Sequence, residues 1–152
     1  MLDMRPATMA DADILYEWAN DPVTRSMSMR GGKHIQREDH DNWMRFNVLQ
    51  GYPQHIVMIA DTEFGSVGVV RFDADKKDTM RHRVSITIGP KFRGMRLAGG
   101  ILAEACRLMD ESTLVAEIKK NNDRSISIFE RCGFTQAGES NLFLHYERKP
   151  QS

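Results

Sequence analysis

"ITIGPKFRGMRLAGGILAEAC", residues 86–106, decides the fold. Its first residues carry the β-branched alternation of a strand, Pro90 breaks the run, and from about residue 95 apolar residues recur at helical spacing. A strand therefore hands over to a helix through a basic, glycine-containing turn. A helix N-terminus carries unpaired N–H groups and partial positive charge, and it binds phosphate when the preceding turn lets the ligand approach. Gly94, Ala98, Gly99 and Gly100 allow that approach, and Arg93 and Arg96 add fixed positive charge suited to a diphosphate. Neither GxxxxGK[ST] nor GxGxxG occurs, so the turn is neither of those two phosphate loops. A packing explanation stays open from these residues alone, since glycines also let a helix lie close on a sheet while arginines stay solvated.

Outward from that turn, the chain divides into short elements. "MLDMRPAT" reads as a first strand, and Thr8 caps a helix over about 9–20 with Ile14, Leu15 and Trp18 inward. Asp21 and Pro22 stop it, "DPVTRSMSMRGGKH" reads as irregular, and residues 36–50 resume a helix with Trp43, Phe46, Val48 and Leu49 inward. "HIVMIAD", "GSVGVVRFDAD" and "HRVSITIG" form a meander of three strands joined by short turns. After the helix of about 95–109 come a strand at "TLVAEIKK", a helix at "NDRSISIFERCG", and two strands in "FTQAGES" and "LFLHYERK". The expected fold is mixed α/β over residues 1–152: one domain with a mostly antiparallel sheet of about seven strands and about four helices on its faces.

Composition narrows the partners. With 152 residues, 41% apolar and 28% charged, the chain can bury a core, and 21 basic residues balance 21 acidic ones. No global field draws it to nucleic acid or to an anionic membrane. No apolar run approaches the ~18 residues of a membrane span, and the acidic N-terminus lacks a signal-peptide core. Cys106 and Cys132 lack metal-ligand spacing and read as reduced thiols, so a cytoplasmic protein without metal is expected.

Two segments carry a family resemblance. "VSITIGPKFRGMRLAGGILAEAC" resembles the acetyl-CoA motif [RQ]xxGx[GA] of the GNAT N-acetyltransferase superfamily, and "NNDRSISIFERCGF" resembles its NxxSxxxxExxGF segment. The element order matches that fold from end to end. The resemblance implies acetyl-CoA as donor, with Arg93, Gly94, Met95, Arg96, Leu97, Ala98 and Gly99 around its diphosphate. It implies that Ser85, Ile86, Thr87 and Ile88 pair with the pantetheine amides, an N–H near Ser85 polarising the thioester carbonyl. Asn122, Ser125 and Phe129 fall at the positions that line the same arm. Arg96 stands where the motif has glycine, which matters only if that position needs positive φ. Phe129 stands where many members have a tyrosine that protonates the thiolate; solvent, Tyr146 or Ser125 could take its place.

Acetyl transfer to an amine needs a base for the ammonium form. His82 and Asp73 are the candidates, with an exposed "RHR" histidine and a strand-end carboxylate as their plainer explanations. Arg71 shares a strand face with Asp73, and Asn20, Arg25, Ser28 and Arg30 stand at the expected acceptor mouth. The opening residues resemble the branch holding ribosomal-protein alanine acetyltransferases and nucleotide-linked aminosugar acetyltransferases. "WANDPVTRSMS", "HDNWM" and "GVVRFD" lie closer to the enzymes that act on UDP-4-amino-sugars. The expected partner is a small-molecule amine, the expected assembly a monomer or homodimer. A protein N-terminal acetyltransferase and a non-catalytic CoA-binding domain are the alternatives.

Overall fold

Alternating apolar side chains draw the chain into a sheet, and amphipathic helices then cover it. The computed structural model describes residues 1–28 and 32–151. The strands are Asp3–Pro6 (β1), His55–Thr62 (β2), Gly65–Ala74 (β3), Arg81–Ile88 (β4), Thr113–Lys119 (β5), Thr135–Glu139 (β6) and Phe143–Arg148 (β7). They form one sheet in the order β1-β2-β3-β4-β5-β7-β6. The helices are Ala12–Ala19 (α1), Pro22–Met27 (α2), Arg37–Met44 (α3), Ala98–Arg107 (α4) and Asp123–Arg131 (α5). Every strand pair is antiparallel except β4 with β5.

Period two sorts the side chains onto two faces. Val70 and Phe72 of β3, Val84 of β4 and Leu114, Ala116 and Ile118 of β5 pack with Ile101, Leu102 and Ala105 of α4 and Phe129 of α5. Each such large side chain contributes about 1.5–3 kcal/mol through burial. Ile59 of β2 joins Leu15 and Trp18 of α1 and Met44 of α3 on the opposite face. Arg71 and Asp73 project to that second face, where the Arg71 guanidinium lies over the Trp43 ring at 5.3 Å. Gly89 is required there, because a Cβ would come within 2.8 Å of the Trp18 indole nitrogen.

The helices depart from the expected boundaries for local reasons. Thr8 does cap, but it caps a 3-10 turn at Met9–Asp11 in a capping box with Asp11, and α1 follows. The stretch expected to be irregular contains α2, with Asp21 as N-cap accepting from the Thr24 N–H at 3.1 Å and Pro22 at the first helical position. Residues 45–49 form a π turn after α3, which leaves Phe46 and Leu49 more than half exposed instead of inward. The helix expected from about 95 starts at Ala98, because Arg96 takes φ +59°.

The sheet has one seam. Parallel pairing of β4 with β5 covers only Arg81, His82 and Arg83 opposite Thr113, Leu114 and Val115. Beyond it β4 stays with β3 as far as Ile88, while β5 stays with β7 as far as Lys119. A wedge therefore opens between the two strands and widens toward the N-termini of α4 and α5.

Candidate active site

Along the wedge, the β5 side of β4 from Val84 to Ile88 has no strand partner, so its outward backbone groups are available to a ligand. These include Ser85, Ile86, Thr87 and Ile88. At the wide end lies the turn that holds Gly94 at φ +81° and Arg96 at +59°. Arg96 thus occupies a left-handed position, the condition under which an arginine in place of glycine matters; its cost is about 1–2 kcal/mol. Met95 is exposed, and Leu97 at the N-cap has no side-chain acceptor, so the first amides of α4 are uncapped by side chains. A Cβ added at Gly94, Gly99 or Gly100 would meet nothing within 4 Å. Close helix packing therefore does not explain those glycines, and the turn is open to a bulky anion. Exposed Lys91, Arg96 and Arg124 place positive charge at this end.

Arg93 is engaged elsewhere. Its Nη2 pairs with the Asp21 carboxylate and donates to Thr24 Oγ1 at 2.9 Å, which ties the turn to the start of α2. The hydrogen bond from Arg93 holds the Asp21 carboxyl below the usual carboxylate range. At the other end of α2, Lys119 Nζ donates to the Ser26 carbonyl at 2.7 Å. No residue of α2 is buried, so this helix is strapped beside the wedge by Arg93 from the turn after β4 and by Lys119 from the end of β5. Arg93, expected beside the diphosphate, thus has its guanidinium engaged with the start of α2.

The two base candidates lie on opposite faces. Asp73 is 12% exposed and accepts from His55 Nδ1 at 2.7 Å and from Arg71 Nη2 at 2.6 Å, with Arg83 Nη2 at 3.8 Å. Burial alone would raise the Asp73 carboxyl, but the Arg71 charge and the Arg71 and His55 hydrogen bonds outweigh it and hold it low. So tightly neutralised a carboxylate is a poor proton acceptor. His82 is not an exposed residue: it is 6% exposed, on the α4 face, and burial pushes its imidazole below the ordinary histidine value. Its Nδ1 is buried without a partner among the described residues.

The residues expected at the acceptor mouth are also committed. Asn20 Oδ1 accepts from the Ile35 N–H at 2.7 Å and its Nδ2 donates to the Ile35 carbonyl at 3.1 Å, which ties Ile35 to the end of α1. Arg25 Nε donates to the Lys33 carbonyl at 2.9 Å, and Ser28 is the C-cap of α2. Arg30 lies outside the described residues. Near the wide end of the wedge, Asn122 caps α5, accepting from the Ser125 N–H at 3.3 Å. Phe129 is 3% exposed and packs edge-to-face on Phe134 at 5.0 Å, inside the core. Tyr146 is no substitute acid at the wedge, for its hydroxyl donates to Glu130 Oε2 at 3.0 Å on the α4–α5 face. Burial pushes the Cys106 thiol up to about 12 and raises Cys132 as well, so neither is a ready nucleophile.

On the face that carries Asp73, a cleft of about 370 Å³ begins at the seam. Asp73, Arg83, Glu117, His145 and Glu147 line it. His55, Glu117 and His145 had no motif to mark them, and only strand register brings them to this face. Among the described residues no group of three or more acidic, histidine or cysteine side chains could hold a metal, and no helix is long and apolar enough to cross a membrane.

Known structures share this architecture. AAC(6')-Ib in complex with ribostamycin and coenzyme A aligns at TM-score 0.82 and 15% identity over 99% of this chain and 94% of that one. Spermidine N-acetyltransferase from Vibrio cholerae, in complex with CoA and spermine, aligns at 0.81 and 12% over 96% and 92%. A protein to which phosphinothricin N-acetyltransferase activity has been ascribed aligns at 0.83 and 20% over the whole of both chains. No curated protein matches the sequence. The model of the acetyltransferase (GNAT) domain matches residues 2–135, and the chain belongs to that family of acetyl-CoA-dependent N-acetyltransferases.

Proposed function

We propose that the protein acetylates the primary amine of a small polar acceptor, an aminosugar or a nucleotide-linked aminosugar. The observation that carries this reading is the join of two spaces at one seam. The wedge between β4 and β5 suits the extended donor, and the cleft beginning at Arg83 and Val115 opens on the same strands. Acetyl-CoA would lie with its diphosphate at the amides of 96–100 and its pantetheine along Val84–Ile88. When bound it supplies a thioester as acetyl donor. A cleft of about 370 Å³ with mixed carboxylate, imidazole and guanidinium walls fits a monosaccharide-sized amine with hydroxyl groups better than an apolar one. The structural relatives bound to ribostamycin and to spermine carry amine ligands, which supports the same class.

Phe129 and Tyr146 leave no phenol at the wedge, so the reading includes protonation of the departing thiolate by the proton shed from the acetylated nitrogen or by water. The test is an acceptor screen with acetyl-CoA, read by mass spectrometry, using free aminosugars, UDP-linked aminosugars, spermidine and an alanine-terminated peptide. Acetylated sugars with unchanged peptide support the reading. Acetylated peptide alone replaces it with N-terminal protein acetylation. Tight acetyl-CoA binding with no product from any amine makes the chain a CoA-binding domain.

A further inference from the structure

Every carboxylate that lines the cleft beneath the seam has a partner except one. Asp73 is held by His55 and Arg71. Glu147 accepts from Arg81 at 2.9 Å and from Lys149 at 2.7 Å. Asp75 caps the turn that follows β3, taking the Lys77 N–H at 2.7 Å. Glu117 is half-buried, and among the described residues its carboxylate has neither a hydrogen bond nor an ion pair.

Its place in the strand is equally specific. Val115 is the last residue of β5 paired with β4, opposite Arg83. Two residues further, Glu117 is the first β5 side chain on the same face that stands beside the open wedge. On β4 the corresponding step from Arg83 leads to Ser85, opposite Arg71. Glu117 and Ser85 therefore flank the point where wedge and cleft meet. The charged and titratable groups around Glu117 in this cleft are Arg81 and Arg83 from β4, Asp73 from β3 and Asp75 just after it, His145 and Glu147 from β7, and, two residues along β5 itself, Lys119. His145 sits directly opposite Glu117 in the β5–β7 register.

From this placement we infer that Glu117 is the catalytic residue on the acceptor side: its carboxylate binds the acceptor ammonium and removes a proton from it. A half-buried carboxylate without a counter-ion is complemented by a cation that arrives with the substrate. The proton goes from R–NH3+ to Glu117 and then to solvent. The neutral nitrogen forms the new N–C bond, the C–S bond breaks, and the second nitrogen proton accompanies the thiolate as free thiol. The product is an amide, which has no cation for Glu117, so release follows from the same chemistry.

This inference rests on the acetyl-transfer reading, and the experiment separates the two. Wild type, Glu117→Gln, Glu117→Asp and His145→Gln are assayed with glucosamine, a UDP-linked aminosugar, spermidine, ribostamycin and an alanine-terminated peptide. Acetyl-CoA affinity and amine affinity of the CoA complex are measured by calorimetry. With the amine that wild type acetylates, Glu117→Gln should lose about 10²-fold or more in kcat/KM at pH 7. It should regain activity as pH rises toward the amine's own pKa, bind that amine at least about tenfold more weakly, which is the ~1.4 kcal/mol of one lost charged contact, and bind acetyl-CoA as wild type does. Glu117→Asp should recover part of the loss. A wild-type rate and pH profile in Glu117→Gln overturns the assignment while the enzyme reading stands. So does a deficit confined to His145→Gln, which moves the proton acceptor across to β7. A wild type that acetylates none of these amines overturns both.

Discussion

The two halves of the sheet are built to different standards of closure. From β1 to β4 the strands pair along most of their length, from Asp3↔Asp61 to Gly68↔Ile88 with one register shift at Ala60/Asp61, and helices cover both faces. From β5 to β6 one face packs on α4 and α5, while the other, bearing Val115, Glu117, His145 and Glu147, opens into the cleft. Three residue pairs join the halves. The first half is a platform and the second forms one wall of the site; the wedge exists because their joint is so short.

Leu114 tests the joint most severely. It is fully buried and pairs with His82 in the middle of the seam. Leu114→Ala should cost about 2–5 kcal/mol in denaturant unfolding, whereas Val115→Ala, next to it on the open face, should cost about 1 kcal/mol or less. Equal losses at the two positions would show that the open face is as closely packed as the core face.

The straps of α2 give the next effect. Arg93→Ala leaves Asp21, 14% exposed at its side chain, without its cation, and should cost about 1–3 kcal/mol. The loss should appear first in hydrogen exchange of residues 22–27. Because Arg93 depresses the Asp21 carboxyl, this strap is fully present above the ordinary aspartate value of about 3.9 and is lost as pH falls through the lower folded value. Lys119→Ala, which removes one exposed bond to a carbonyl, should loosen α2 by less. Unchanged exchange in both variants would mean that α2 is held by something other than its straps.

How far the sequence reached follows the same division. Strand alternation and turn residues placed all seven strands and the handover into α4, because those signals are local. The cap of α2 was equally local: "DPVT" holds both an N-cap aspartate and a proline at the first helical position, yet Asp21 and Pro22 read as a stop. The site was harder to read, since Arg93 meets Thr24 across 69 positions and Lys119 meets Ser26 across 93. Glu117 is unmarked by any motif, and it becomes a candidate only when pairing with β4 is known to end at Val115. His82 misled for a related reason. Its charged neighbours suggested exposure, but period two turns it to the core face while Arg81 and Arg83 face out.

Buried histidines sharpen the contrast in a pH window of their own. Burial lowers His82 on the α4 face and His40 on the α1–α3 face, where His40 Nε2 lies 2.9 Å from the Ala12 carbonyl and therefore carries its proton. Both resist protonation more in the fold than in the unfolded chain, so around and below about 6.5 the unfolded chain binds more protons. Stability should be full above that value and fall as pH drops through the folded values, by up to about 1.4 kcal/mol per pH unit for each histidine. His82→Leu should remove one histidine's share of that slope and, with no orphaned Nδ1, should keep acetyl transfer intact. Loss of activity with unchanged folding would return His82 to the catalytic machinery.

The smallest effect on stability sits at the wide end of the wedge. Arg96 at φ +59° is strained, and glycine relieves that strain, but glycine also gives the unfolded chain more freedom to lose. The two contributions nearly cancel, so Arg96→Gly should change stability by less than about 1 kcal/mol. Arg96→Asn keeps a residue that tolerates left-handed backbone while deleting the charge. If the exposed guanidinium meets the donor's phosphates, both variants should weaken acetyl-CoA binding by similar factors, and more at low salt than at high. If Arg96→Gly instead tightens binding while Arg96→Asn does not, the side chain is an obstruction at a position meant for bare backbone. The amides of 96–100 would then hold the diphosphate without help from this residue.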